Sequence, residues 1–308
     1  MPDSRGRGVS ARPLEPPRRI SADVSRAGDV GSAEEKWDVI IRPQHGWIPL
    51  NLGDLWRYRE LLLFSVWRDM KLRYQQTALG VAWAVIQPVL TMVIFTVIFG
   101  HFAKIPSEGV PYPVFSFTAL LPWTFFAYAL SQSSLSLVAN NNLISKVYFP
   151  RLVIPVASTL SGLIDFGIAF VVLVVLMLIY GIHPTVAVLA LPLFLALALL
   201  AALAVGIWLS ALNVEYRDVR YAMPFLTQIW MYATPIVYPL SLIKNRYAQI
   251  IFSLNPMTGV VDGFRWAVLG TNTFDTIPIL VSTFVAVVGL FGSLVYFRRM
   301  EREFADLV

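Results

Sequence analysis

Cysteine is absent from the 308 residues. No disulfide, thiolate metal site or cysteine nucleophile can therefore be built from this chain. Histidine is scarce: His45, His101 and His183 are too few and too scattered to form a metal cluster. Charge is scarce as well. Only 14% of residues are charged and 57% are hydrophobic, with a mean hydropathy of +0.65, whereas a typical soluble domain is about 25% charged. These shortages exclude a disordered protein, a collagen, a small disulfide scaffold and an ordinary soluble domain. The formal net charge is +5, but where the charges sit carries more information than their sum.

Long apolar stretches dominate what is present. Six runs reach the roughly 20 residues that a helix needs to cross a bilayer: 79–101, 114–138, 152–180, 186–212, 221–240 and 277–297. A buried-core explanation would need a soluble shell that this sequence does not contain. Strands of a membrane barrel would instead be short and alternating. The run 221–240 is the weakest, since Pro224 and Pro235 interrupt it, although membrane helices tolerate proline where neighbours satisfy the freed carbonyls. Residues 1–45 mix Arg, Pro, Gly, Ser and acids without apolar periodicity and read as a disordered cytoplasmic tail with no signal peptide. The expected organisation is a tail over 1–45, an interfacial region over 46–78 and a six-span membrane domain over 79–308 with a short cytoplasmic C-terminus.

Lys and Arg near the span ends set the orientation. Segments 59–78, 139–151, 213–220 and 298–308 carry 11 basic residues in 52 positions, whereas 102–113, 181–185 and 241–276 carry 4 in 53. Both termini are expected in the cytoplasm.

Three stretches between spans are informative. In LWRYRELLLFSVWRDMKLRY (55–74), Trp56, Leu63, Trp67, Met70 and Tyr74 recur at helical spacing, while Arg57, Arg68 and Lys71 share another face. Trp with Arg and Lys on an amphipathic helix suits the bilayer interface. Such a helix is either an anchor or a gate that binds lipid headgroups. In ANNNLISKVYFPR (139–151), asparagines end one helix and Pro150 opens the next span. A plain loop would not need Ile144, Val147, Tyr148 and Phe149 in water, so the segment docks a partner or packs on the chain's own helices. The stretch 241–276 is long for an external loop and only partly polar. It is expected to hold re-entrant or interfacial helices, with a Gly259-x-x-x-Gly263 pair that often means only close packing.

Several long segments resemble a known family. They are LRYQQTALGVAWAVIQPVLTMVIFTVIFG (72–100), LLPWTFFAYALSQSSLSLVANNNLISKVYFPR (120–151), SALNVEYRDVRYAMPFLTQIWMYATPIVYPLS (210–241) and LNPMTGVVDGFRWAVLG (254–270). Together they are similar to the permease subunit of bacterial ABC exporters of polysaccharide, of the O-antigen and teichoic-acid type, from about residue 52 to 299. The resemblance implies an all-α inner-membrane protein with six spans, an interfacial helix before the first span and external re-entrant helices before the last. It implies a permease homodimer with two separate ATP-binding cassette ATPase subunits and a lipid-linked polysaccharide as cargo. Membrane lipids are further partners, and no nucleic-acid partner is expected. ATP and Mg would be bound by the partner subunit, with no cofactor in this chain; indeed no G-x-x-x-x-G-K-[ST] phosphate loop occurs here. The cytoplasmic segment that would meet the ATPase comprises Ile144, Ser145, Lys146, Val147, Tyr148, Phe149 and Arg151.

A polysaccharide path needs flat aromatic faces and neutral hydrogen-bonding groups. Trp83, Gln87, Thr91 and Phe95 recur every four residues in the first run, and Phe225, Gln228, Tyr232 and Pro235 form a comparable stripe in the fifth. Two copies could turn these stripes toward one pore; the bland alternative is helix packing. Asp165 stands alone among the apolar residues of the third run, where an acid is expensive. A structural hydrogen bond or helix-end contact is favoured over a proton relay. Glu215, Arg217, Asp218 and Arg220 form a mixed-charge cytoplasmic loop, either a solvated turn or a coupling element. A lipid or drug exporter and a membrane glycosyltransferase or acyltransferase are the competing functions. The latter would need convergent catalytic groups, and Glu108, Asp262, Asp275, His101 and His183 offer no persuasive pairing in the sequence.

The absence of native cysteine makes topology directly testable. A cysteine placed at Ser107 or Asn272 should be labelled from outside the cell, and one at Asn141 only after permeabilisation. External labelling at Asn141 would overturn the orientation.

Overall fold

The computed structural model describes residues 52–75, 80–144, 146, 149–270 and 275–301. The expected tail over 1–45 lies outside the described residues. Among them the chain is built of helices and turns, with no strand. In chain order the helices are α1 (Leu52–Arg57), α2 (Arg59–Tyr74), α3 (Ala82–Phe95), α4 (Tyr112–Ala139), α5 (Asn141–Ile144), α6 (Val153–Ile179), α7 (Leu191–Glu215), α8 (Val219–Ala233), α9 (Arg246–Ser253), α10 (Pro256–Leu269) and α11 (Thr276–Met300). A π-helical stretch, Thr96–Phe102, continues α3, and a 3₁₀ turn, Val186–Ala190, leads into α7.

Five stretches are long and apolar enough to cross a membrane: Ala82–Phe102, Tyr112–Ala139, Val153–Ile179, Val186–Glu215 and Thr276–Met300. They account for five of the six expected runs. The run 221–240 does not form one helix. Its helical part, α8, has 15 residues, about 22 Å at about 1.5 Å per residue, which is short of a hydrocarbon core of about 30 Å.

The centre of the bundle is α4, which packs on α3, α6, α7, α8 and α10. A helix that is apolar all round is buried all round: Phe115, Phe117, Leu120, Leu121, Phe126 and Leu130 point in several directions and all are buried. By contrast α3 and α8 each bury a single face and expose the rest.

The backbone after α8 turns away at Thr234-Pro235 and stays non-helical through residue 239. Carbonyls released at a helix end need partners, and within a membrane those partners must come from the protein. Four consecutive carbonyls are satisfied by two side chains. Arg265 of α10 donates to the carbonyls of Pro235 (2.7 Å), Ile236 and Tyr238 (3.1 Å), and the Tyr112 hydroxyl donates to that of Val237 (2.8 Å). Arg265 is only 2% exposed, and its guanidinium lies 3.8 Å from the centroid of the Phe115 ring. On the other side of the break, Asn255 caps α10 by accepting from Met257 N–H, and the same side-chain oxygen accepts from Trp230 Nε1–H, while its amide donates to Thr234 Oγ1.

The expected external helices are α9 and α10. Rather than lying on the surface, α10 is wedged among α4, α7 and α11, with Met257, Val260, Val261, Phe264 and Ala267 buried. The two glycines of the G-x-x-x-G pair serve two different contacts. A Cβ at Gly259 would stand 2.7 Å from the Ser282 Cβ of α11, and one at Gly263 would stand 2.1 Å from the Phe194 ring of α7. Arg246 at the head of α9 pairs with Asp275, which also caps α11 by accepting from Ile277 N–H (3.2 Å). The Arg246 hydrogen bond holds the Asp275 carboxyl below the usual carboxylate range.

Gly263→Ala should therefore overpack against the buried Phe194 and cost about 1–3 kcal/mol. Gly167, with open space around its Cα, is the control. The thermal midpoint in detergent should fall for Gly263→Ala and stay level or rise slightly for Gly167→Ala; equal midpoints would mean that Phe194 moves aside freely.

Candidate functional site

The sequence stripe on α3 is only partly brought together. Trp83 is 52% exposed and Gln87 is exposed, while Thr91 is half-exposed with its hydroxyl bonded to the Gln87 carbonyl. Phe95, however, is 6% exposed and packs edge-on against Phe99 within the core, so it leaves the candidate path. The reason is geometric. A step of four residues overshoots a 3.6-residue turn by about 40°, so three steps carry Phe95 about 120° round from Trp83. The continuous exposed face of α3 is instead Trp83, Gln87, Leu90, Ile94 and Val97. On α8, Phe225 (64% exposed), Gln228 and Tyr232 do share one exposed face, and Pro235 is buried beyond the helix end. The opposite face of α8 seats Val219 and Met223 in the core and sets Trp230 edge-on to Phe126 of α4 at 5.2 Å.

The helix expected at the bilayer interface is broken at Tyr58, which separates α1 from α2. Trp56, Leu63, Phe64 and Trp67 are exposed, while Leu61, Leu62 and Ser65 face the protein. Cations stack on both exposed tryptophans: Arg59 over Trp56 at 5.6 Å and Lys71 over Trp67 at 4.9 Å. Arg57 is exposed. Arg68 departs from the expected outward face with Arg57 and Lys71. It turns inward and donates to Asp69 and to Asn140 Oδ1 (2.9 Å) at the end of α4, because α2 lies along α6 with that side inward.

Asp165, read in the sequence as a lone intramembrane acid, has two partners at the end of α2. Arg73 forms an ion pair with it, and the Tyr74 hydroxyl donates to it. Arg73 also stacks over Tyr128 of α4, 4.1 Å from the ring centroid. This is the favoured structural role. Arg73 and Tyr128 were not singled out in the sequence, although a buried acid always asks for a partner. The pair is separated by 92 positions, so nothing local marks it.

Between α2, α4 and α6 lies an open cavity of about 650 Å³. Arg68, Asp69 and Arg73 form one wall, Tyr128, Gln132 and Asn140 a second, and Ser158 and Ser161 a third, over an apolar contribution from Leu72 and Leu135. None of the α4 or α6 residues in it stood out in the sequence, because serine, glutamine and tyrosine in apolar runs carry no period of their own.

The expected ATPase segment is partly withdrawn into the fold. Phe149 is 6% exposed and lies in a cluster with Leu137, Leu152, Val153, Phe297 and Met300. It is therefore a core residue and not a docking aromatic. Arg151 reaches the end of α11, donating to the Glu301 carbonyl at 2.8 Å. Ile144 is half-buried and Lys146 exposed; Ser145, Val147 and Tyr148 lie outside the described residues. Glu215 at the end of α7, Arg217 and Asp218 in the turn and Arg220 in the first turn of α8 are all exposed, and Arg220 stacks over Tyr221 at 4.8 Å.

Five membrane-length apolar stretches, one of them the buried central helix α4, define a multi-pass, all-helical membrane protein. Residues 60–269 match the ABC-2 type transporter family, and the chain belongs to it. It is 30% identical over 257 residues to the O-antigen export system permease protein RfbA of Myxococcus xanthus, covering 83% of this chain and 98% of that protein. It is 31% identical over 262 residues to the RfbA permease of Klebsiella pneumoniae, covering 84% and 97%. The polysialic acid transport protein KpsM of Escherichia coli is 21% identical over 235 residues, covering 76% and 91%.

Removing one partner of the Arg73–Asp165 pair should cost more than removing both, because a stranded charge is worse than none. Asp165→Leu is expected to destabilise by about 1–3 kcal/mol, a range lowered for partial exposure, and Arg73→Leu/Asp165→Leu should recover part of that. A double variant no more stable than Asp165→Leu alone would show that the pair does not hold α2 to α6.

Proposed function

We propose that this chain is the membrane-spanning permease of an ATP-driven exporter that moves lipid-linked, O-antigen-like polysaccharide out of the cytoplasm across a bacterial inner membrane. The observation that carries this reading is the near end-to-end correspondence with permeases named for O-antigen export, 98% and 97% of whose lengths are matched. Hydrolysis of ATP belongs to separate ATPase partners, two per permease homodimer, and both termini face the cytoplasm. In this reading α8 and the non-helical residues 234–239 together make the fifth crossing. About 22 Å of helix plus six residues at up to about 3.3 Å each is long enough for the hydrocarbon core.

The exposed faces of α3 and α8 are the surfaces that two copies would turn toward one another. They offer Trp83, Phe225 and Tyr232 as flat faces and Gln87 and Gln228 as hydrogen-bonding groups. Aromatic stacking is worth on the order of 1 kcal/mol per contact, and contacts this weak suit a conduit, since a tight site would stall a moving polymer. Motion of the partner ATPase would enter through the 139–151 segment. That segment is tied to α11 by Arg151–Glu301 and to α2 by Asn140–Arg68, so a displacement there is transmitted to the interfacial helix and to the last span.

The test is export in cells lacking their own permease but supplied with the cognate ATPase. Trp83→Ala, Phe225→Ala and Tyr232→Ala should each lower surface polymer about two- to tenfold at equal permease abundance, the loss expected of one stacking contact. Phe95→Ala should instead lower abundance. Normal export by all three path variants and by Gln87→Leu would remove these faces from the path. Failure of the unaltered chain with its ATPase to restore any surface polymer would overturn the cargo class.

A further inference from the structure

We propose that the cavity between α2, α4 and α6 is a binding site for the headgroup of a zwitterionic phospholipid that carries a primary ammonium, of the phosphatidylethanolamine class. The inference is independent of the exported cargo and rests on four features of the cavity.

The first is charge balance. The two arginines at the cavity, Arg68 and Arg73, are each matched by a carboxylate, Asp69 and Asp165. A site built for a diphosphate or another multiply charged anion would carry an excess of cation, because each carboxylate nearby works against the ligand. A zwitterion brings both charges and disturbs neither pair.

The second is the geometry of Arg68 and Asp69. They are sequence neighbours bonded side by side, with Arg68 Nε and Nη2 both on Asp69 Oδ1 at 3.1 and 2.9 Å. Asp69 Oδ2 has only a long contact, 3.4 Å, from the Ser158 hydroxyl. Arg68 Nη1 donates to no group among the described residues. One donor nitrogen and one weakly engaged acceptor oxygen thus remain on neighbouring side chains that both line the cavity, which suits a phosphate and an ammonium joined by two carbons.

The third is the rest of the lining. Gln132 is neutral and its amide can donate to a phosphate or glycerol oxygen, Ser158 and Ser161 keep their hydroxyl protons on Asp69 and on the Ser158 carbonyl, and Leu72 and Leu135 supply an apolar side for the start of the acyl chains. The fourth is depth. The cavity sits beneath α2, whose exposed Trp67 carries Lys71 on its ring, the arrangement found at headgroup level. An ammonium is preferred over a choline because a carboxylate gains charge-assisted hydrogen bonds from N–H and none from a methylated nitrogen.

The experiment is lipid retention by the purified full-length permease with its ATPase partner. The complex is delipidated mildly, exposed to micelles containing phosphatidylethanolamine, phosphatidylcholine or phosphatidylglycerol, and examined by native mass spectrometry. Phosphatidylethanolamine should be retained preferentially, and Arg68→Gln and Asp69→Asn should each weaken that retention about tenfold, the loss of one charge-assisted contact. Gln132→Leu, which leaves both ion pairs in place, serves as the variant least prone to misfold and should weaken retention about threefold, the loss of one neutral hydrogen bond. Equal or stronger retention of phosphatidylglycerol would overturn the proposal in favour of a general anion site. Displacement of phosphatidylethanolamine by a polyprenyl diphosphate lipid at lower concentration would overturn it in favour of a cargo-loading site. Retention unchanged in all three variants would place bound lipid elsewhere on the chain.

Discussion

The fold depends on how a broken helix is made tolerable in the dry interior of the bundle. Backbone amides and carbonyls released from a helix cannot be left to lipid, yet α8 stops at Ala233 and the next six residues are irregular. Arg265 and Tyr112 meet four successive carbonyls there. Burying a guanidinium is costly on its own, and the three carbonyl acceptors together with the face of Phe115 offset that cost. The consequence extends beyond the break. Because Arg265 sits on α10, the break cannot be closed unless α10 lies deep in the bundle, and α10 can lie there only because Gly259 and Gly263 let it approach α11 and α7. Asn255, bonded to Trp230 and Thr234, fixes the entry to α10 from the same side.

Small residues at helix crossings repeat that logic elsewhere in the bundle. A Cβ at Gly162 of α6 would meet the Tyr128 ring of α4 at 2.7 Å, and one at Gly206 of α7 would meet the Ser133 hydroxyl of α4 at 2.8 Å. Where lipid replaces water, apolar surface alone gives helices little reason to associate, and close approach of backbones supplies dispersion contact instead. These contacts converge on α4, which is why α4 is buried over most of its length while α3 and α8 bury one face and leave the rest free. The free faces are the surfaces that a second copy and a moving polymer would use in the proposed exporter.

Polar contacts at the ends of α2, α4 and α11 form a second connected set. Arg73 and Tyr74 hold Asp165, Arg68 holds Asn140, and Arg151 holds the end of α11. Together they tie α2 to α6 and to the end of α4, and the stretch leading into α6 to the end of α11. In the proposed exporter these ties would let motion at a short loop reach a large membrane domain.

Much was legible in the sequence because hydrophobic length is a property of the chain itself. The long apolar runs mark an all-helical membrane protein, and four long matched segments point to the family. Facing directions were less legible. The four-residue ladder from Trp83 to Phe95 reads as one stripe on paper, but its drift round the helix buries Phe95, and Phe149 reads as exposed until α11 covers it. The run 221–240 looks continuous in composition, yet its helix ends at Thr234-Pro235 because Arg265, 30 positions further on, makes the break affordable. Pairings such as Arg73 with Asp165 are set by which helices lie side by side. One chain fixes the period of its own hydrophobicity, but the partner of a buried charge is decided only when the helices pack, since the cost of leaving it unpaired arises only in that packed, low-dielectric setting.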